Sequence, residues 1–192
     1  MLKRMITVGI DEVGRGALAG PVVSCAAILK PGFVSDVIVD SKKISPKKRL
    51  LIAEFLMDNL LDYGIGVVCP FLIDKINILR ATKQAMHLAL SAIKAHYDYI
   101  IIDAVHLKNI ETPCISPIKG DEKYIEVAAA SIIAKVYRDR LLQGLHRMYP
   151  MYGWFDNKGY GTKQHIESIK KYGITPIHRK TFVKQYVEKF RE

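Results

Sequence analysis

The sequence predicts an α/β fold: a sheet covered by helices on both faces, with a helical C-terminal portion. Three observations lead to it. Short apolar runs bounded by glycine, proline or acidic residues recur at 5–10, 20–29, 65–69 and 99–102. Helical patterns fill the later intervals between them. Beyond residue 120 the patterns are helical alone, and alternation followed by helices marks a sheet with a helical end. The 192 residues, 49% of them hydrophobic, suffice to bury a core. No repeat, low-complexity tract or linker divides the chain, so it reads as one domain, 1–192, with a helical extension from about 162.

The first strand, residues 5–10, stops at two adjacent carboxylates, Asp11 and Glu12. Residues 20–29 form the second, and Lys30-Pro31-Gly32 turns out of it. Ser45-Pro46 starts a helix, an N-cap oxygen followed by proline at the first helical position. That helix runs to about Leu61, where Tyr63-Gly64 ends it, and Ile65 to Cys69 is a short strand. Residues 74–96 carry one long helical pattern through Ile78, Met86, Leu90 and Ile93. Tyr99 to Ile102 is an apolar strand that also ends in a carboxylate, Asp103. After Gly120-Asp121 comes a helix rich in small residues, Ala128 to Ala134, continuing to about Met148. Two more helices span 162–172 and 181–190, and Gly173 caps the first, with Lys170 and Lys171 in its last turn.

A net charge of +10 points to a polyanionic partner or to simple solubility. The apolar stretch after Met1-Leu2-Lys3-Arg4 ends at Asp11, too short for a signal peptide core. No uncharged run approaches the roughly 18 residues of a membrane span, so the chain is expected to be soluble, cytoplasmic and without a membrane partner. Cys25, Cys69 and Cys114 are widely spaced among apolar neighbours, which argues against zinc and disulfides and for small buried side chains.

Asp11, Glu12, Asp103 and Asp121 share a context. Ligands of open α/β sheets bind beyond the carboxyl ends of strands. Clustered carboxylates raise one another's pKa unless a cation neutralises them. Oxygen ligands without histidine or cysteine suit a hard cation, Mg²⁺ or Mn²⁺. A single aspartate after a strand is as often a turn or capping residue, although a turn needs one such residue and not two. Glu12 shares a site with Asp11 only if the strand bends, which Gly14 and Gly16 permit.

Lys42-Lys43-Ile44-Ser45-Pro46-Lys47-Lys48-Arg49 holds five basic residues in eight. Cations in a first helical turn oppose the macrodipole, and a phosphate docked there reverses the sign. A solvated basic face is the alternative. Tyr160, framed by Gly159 and Gly161, either offers its ring to a base or sugar or folds back into the core. His146, His165 and His178 are weaker candidates, and Trp154 reads as packing.

The segments "GIDEVGRGALAGPV", "DSKKIS", "NILRATKQAM", "GDEKYIEVAAASIIAKVYRDR", "YPMYGWFDNKGYGTKQH" and "HRKTF" resemble, in order, bacterial type 2 ribonuclease H, the ribonuclease HII family. The resemblance spans residues 9–182. It implies a ribonuclease H-like fold, a mixed sheet flanked by helices, with Asp11, Glu12, Asp103 and Asp121 as the catalytic, metal-binding set. It also implies that Gly14, Arg15 and Gly16 read the ribose 2′-hydroxyl, that Tyr160 recognises the RNA–DNA junction, and that Lys42 and Lys43 bind phosphate. The implied activity is endonucleolytic. It hydrolyses the RNA strand of RNA–DNA hybrids and cuts 5′ of ribonucleotides embedded in duplex DNA, with two Mn²⁺ or Mg²⁺ ions, leaving 3′-hydroxyl and 5′-phosphate. The implied setting is ribonucleotide removal in DNA repair and replication, by a monomer without organic cofactor. Ala17, Glu126 and Tyr137 depart from the family pattern, where proline, serine and threonine are usual, and Glu126 is expected to add negative charge near Asp121. The rivals are a non-catalytic nucleic-acid-binding module and another two-metal nuclease of the same fold.

Overall fold

Strand β2 (Val22–Leu29) is buried along its whole length because its alternate side chains serve two cores. Val23, Cys25, Ala27 and Leu29 pack against Ile52, Ala53 and Leu56 of α1 (Pro46–Asn59) and against the Ala128–Ala134 face of α5 (Ile125–Met148). Ala26 and Ile28 face the other way, with Val8, Ile10, Ile100 and Ile102, onto Met86 and Ala89 of α3 (Ile78–Ser91). Each buried isoleucine or leucine contributes roughly 1.5–3 kcal/mol, so the sheet and its two helical layers form one cooperative unit.

The computed structural model describes residues 5–35 and 45–187. β1 (Thr7–Val13), β2, β3 (Leu60–Val68), β4 (Tyr99–Ile102) and β5 (Cys114–Ile115) form a mixed sheet in the order β3-β2-β1-β4-β5. β1, β2 and β3 are antiparallel neighbours, whereas β4 and β5 run parallel to β1. The helical end comprises a 3-10 turn (Pro150–Tyr152), α6 (Trp154–Asn157), α7 (Lys163–Tyr172) and α8 (Lys180–Val187). They close over Leu18, Ala19 and Leu142 with a core that includes Tyr152, Trp154, Ile169 and Val183. Trp154 packs as expected, stacked on Tyr152 with 5.2 Å between ring centroids. Among the described residues no helix is long and apolar enough to cross a membrane.

Several element boundaries correct the sequence reading. β1 does not stop at Asp11; it continues through both acids to Val13, paired with β2. Helix α1 ends at Asn59, and β3 begins at Leu60, so Tyr63 and Gly64 lie inside a strand. Gly64 is not a stop signal: a Cβ on it, or on Gly66 two residues further along the strand, would run into the α3 backbone at Ala89 or Ala85. Their absence of side chain is what lets α3 lie close on β3. The long pattern at 74–96 is two helices, α2 (Pro70–Ile76) and α3, broken at Asn77, whose φ of 68° interrupts the helix and whose Oδ1 accepts from Arg80 N–H at 3.1 Å. Short β5, α4 (Gly120–Lys123), α6 and the 3-10 turn were not anticipated. The cysteines are all free, but Cys69 is exposed and Cys114 only partly covered, contrary to the expectation of burial. Lys42, Lys43 and the chain beyond Val187 lie outside the described residues.

Candidate active site

The parallel register of β1 and β4 places two acids side by side. Ile10 pairs with Ile102, and Asp103 N–H donates to the Ile10 carbonyl at 3.0 Å, so Asp103 follows directly beside Asp11. Pairing with β4 stops at Ile10, which leaves the β4 side of residues 11–13 open. Asp11 and Glu12 therefore reach one cleft without the glycine-assisted bend expected from sequence; both line a cavity of about 420 Å³ with Asp103. Ser131 and Lys135 of α5 line the same cleft, as do Arg49 of α1 and Tyr160. Gly9 permits this arrangement, because a Cβ there would strike the α5 backbone at Glu126 and Val127 and hold the helix off the strand.

Asp121 occupies the first turn of α4 and is 4% exposed. It adjoins Asp103 through Gly120, whose N–H donates to Asp103 Oδ1 at 2.7 Å, but it does not line the cleft. Three of the four expected acids thus line one cleft, and the fourth follows Gly120, the residue bonded to Asp103.

Electrostatics in the cleft favour a cation. Burial, followed by the charge of Glu12, pushes the Asp11 carboxyl well above the ordinary carboxylate range; a Ser131 hydrogen bond pulls against this, and Asp103 adds to it. Burial also raises Glu12, against the opposing pull of Arg15, whose Nη1 lies 3.2 Å from Glu12 Oε1. Glu12 Oε2 is buried with no hydrogen-bond donor. Among the described residues no three acidic, histidine or cysteine side chains stand at metal-ligand spacing. Even so, an all-oxygen donor set, mutually repelling carboxylates and an orphaned buried carboxylate oxygen fit a hard divalent ion.

Two arginines that sequence reasoning missed hold the Gly14–Arg15–Gly16 loop and the Ala19–Pro21 segment that follows it. Arg179 donates to the carbonyls of Gly14 (2.7 Å), Arg15 (2.8 Å) and Gly20 (3.0 Å). Arg138 donates to those of Pro21 (2.9 Å), Lys158 (2.8 Å) and Ala19 (3.0 Å). Both are fully buried. One signal pointed to Arg138: it falls at i+4 between Ala134 and Leu142, on the buried stripe of α5. Gly14 is glycine because of this neighbour. Its φ is +92°, and a Cβ would strike the Arg138 side chain. Gly16 has open space where its Cβ would be.

Tyr160 does not fold into the core. Its ring lies over the Arg138 guanidinium (5.3 Å) and Lys135 Nζ (5.6 Å), at the cleft. Of the basic stretch, Lys47 and Lys48 are exposed while Arg49 reaches the cleft, so the acids face at least one cation of that helix start. Glu126 lines a different cleft, with Thr7 and Phe33. Tyr137 lines an apolar groove between α1, β3 and α5. Ala17 is buried, and its N–H donates to Gly14 at 3.4 Å, a bond proline lacks.

Comparison with known proteins gives a consistent result. The family model described as ribonuclease HII matches residues 8–186. A ribonuclease HII of Ruminiclostridium cellulolyticum is 51% identical over 180 residues, 94% of this chain and 71% of the relative. The crystal structure of the ribonuclease H2 from Pyrococcus horikoshii OT3 superposes with a TM-score of 0.84 at 29% identity, covering 98% of this chain and 100% of that one. Bst-RNase HIII in complex with Mn²⁺ shares the fold, with a TM-score of 0.75 at 20% identity over 99% of this chain and 71% of the other.

Proposed function

The chain belongs to the ribonuclease HII family and is a ribonuclease H hydrolase, and from that premise we propose that it cuts on the 5′ side of ribonucleotides embedded in duplex DNA as well as within RNA–DNA hybrids. The observation that supports this reading best is the shared cleft of Asp11, Glu12 and Asp103, rimmed by Lys135, Arg49 and Tyr160.

In this reading Asp11, Glu12 and Asp103, with Asp121 behind them, hold Mg²⁺ or Mn²⁺. Held there, divalent ions would supply activation of the attacking water and charge stabilisation at the leaving 3′ oxygen. The protein's own groups bind and orient. Lys135 and Arg49 offset phosphate charge at the cleft rim, a salt-sensitive contact without sequence preference. Arg15 is held on Glu12 and its carbonyl on Arg179, so the backbone of open Gly16 is the part left to meet the ribose. The 2′-hydroxyl is the group that separates the two sugars, and a bare Gly16 lets backbone approach it. Tyr160, backed by two cations, offers a flat face to the neighbouring sugar. Products are a 3′-hydroxyl and a 5′-phosphate, consistent with ribonucleotide removal during DNA repair and replication by a cytoplasmic monomer.

The test is a duplex carrying one ribonucleotide, assayed with and without Mg²⁺ or Mn²⁺ beside an all-DNA control. Metal-dependent cutting of the first alone is expected. Binding without cutting indicates a non-catalytic module, and cutting of the control indicates a different nuclease.

A further inference from the structure

Behind Tyr160 lies a buried chain of side chains that the reaction itself does not use. His165 Nδ1 is 2.9 Å from the Tyr160 carbonyl, and Trp154 Nε1 is 3.0 Å from His165 Nε2. His165 Nε2 is 3.2 Å from His178 Nε2, and Thr175 N is 3.0 Å from His178 Nδ1. His165 is 0% and His178 2% exposed. We propose that His165, backed by Trp154 and His178, is a positioning residue that sets Tyr160 in the cleft and so determines efficiency at single ribonucleotides. The inference rests on the reading of Tyr160 as a substrate contact.

Proton placement follows from donors that have no choice. An amide N–H only donates, so His178 Nδ1 accepts from Thr175 and its proton sits on Nε2. An indole N–H only donates, so His165 Nε2 accepts, sharing its lone pair between Trp154 and His178. The His165 proton is then on Nδ1, and a carbonyl can only accept it: His165 donates to Tyr160. One arrangement satisfies every member, with both imidazoles neutral. Burial agrees, holding His178 down to about 4 and lowering His165 as well. The rings are wedged against Tyr152, 4.7 Å from His178, so the tautomers are locked by packing. The Tyr160 carbonyl accepts from Thr162 N–H at 2.9 Å as well as from His165. Without His165 it keeps one of these two bonds and loses the one that ties it to the buried rings, which loosens the setting of the ring over Arg138 and Lys135.

Two substitutions separate positioning from packing. Asparagine places an amide N–H near the His165 Nδ1 position and keeps the donor, whereas glutamine reaches the Nε2 position and loses it. Full-length protein with Mg²⁺ is assayed on a single-ribonucleotide duplex and on a long RNA–DNA hybrid, and the ratio of the two kcat/KM values is the readout. Far-UV circular dichroism and cooperative unfolding verify the fold of every variant, since Trp154→Phe removes the single tryptophan. Tyr160→Ala should lower the ratio. His165→Gln should lower it by about two- to tenfold, the range of one hydrogen bond, and His165→Asn should hold it within about twofold. Adding His165→Gln to Tyr160→Ala should cost nothing further. Trp154→Phe, which removes the indole donor and keeps an aromatic ring, should shift the ratio in the same direction, and it stands in if His165→Gln does not fold. An effect of Tyr160→Ala with none from folded His165→Gln or Trp154→Phe overturns the positioning role alone. Equal losses for His165→Asn and His165→Gln also overturn it. No effect of Tyr160→Ala removes the substrate reading of Tyr160, and the positioning role with it.

Discussion

Arg179 Nη2 donates to the Gly14 carbonyl at 2.7 Å, tying the last helical segment to the loop beside the acids across 165 residues of chain. Arg138 and Arg179 together make six hydrogen bonds, all to main-chain carbonyls. They gather the Gly14–Gly16 loop and, through the Lys158 carbonyl, the segment leading to Tyr160. Burial lowers Arg179 to about 9, so the clamp holds a desolvated cation on carbonyl dipoles.

Removing that clamp should be costly. Arg179→Met keeps the stem but leaves three carbonyls without their donor, each worth roughly 1–3 kcal/mol when unsatisfied. Urea unfolding should show a loss of about 3 kcal/mol or more. Arg179→Lys should recover less than half of it, since one ammonium does not span the fork.

The two glycines of the loop should behave differently. Gly14→Ala meets Arg138 at a φ of +92° and should lower the unfolding midpoint. Gly16→Ala enters open space and should leave the midpoint unchanged while depressing cleavage at ribonucleotides. Thermal unfolding beside the cleavage assay distinguishes them.

Asp11→Asn should abolish turnover yet leave hybrid binding largely intact. It should also stabilise the metal-free protein near pH 7, because burial disfavours the ionised carboxylate that asparagine replaces. A gain of about 1 kcal/mol corresponds to about 2–4 °C for a chain of this size.

The His178 contribution to stability should decline as pH falls from about 6.5 towards 4, opposite in sign to the gain as the buried Asp11 carboxyl protonates. His178 is held down to about 4 in the fold, so over that window the unfolded chain binds a proton that the native state does not. The upper bound is roughly 3 kcal/mol, from 1.36 kcal/mol per pKa unit. His178→Asn should flatten this part of the stability–pH curve, measured by denaturant unfolding.

Features marked by local chemistry were legible in the sequence. Tyr99–Ile102 is apolar up to Asp103 and forms β4 as expected; Gly173 caps α7 as expected, while Thr162, read as the first helical residue, is its N-cap, with Oγ1 accepting from His165 N–H. Features decided by distant partners were not. Gly64 looks like a turn residue until α3 lies across it. The helical period passes through Asn77 unbroken, although its capping side chain was a signal to stop. Arginine normally marks surface, so Arg138 and Arg179 hid in plain basic segments. The bond from Gly120 N–H to Asp103, which brings the start of α4 beside β4, is one that no sequence spacing encodes. The acids of the cleft were legible as a set because three of them follow or extend apolar strands.

The most direct measurement is anomalous diffraction from a crystal equilibrated with Mn²⁺ and a non-cleavable duplex holding one ribonucleotide. Manganese peaks bonded to Asp11, Glu12 and Asp103 beside the scissile phosphate are the expected result. A phosphate seated elsewhere, or manganese bound away from these carboxylates, would contradict it.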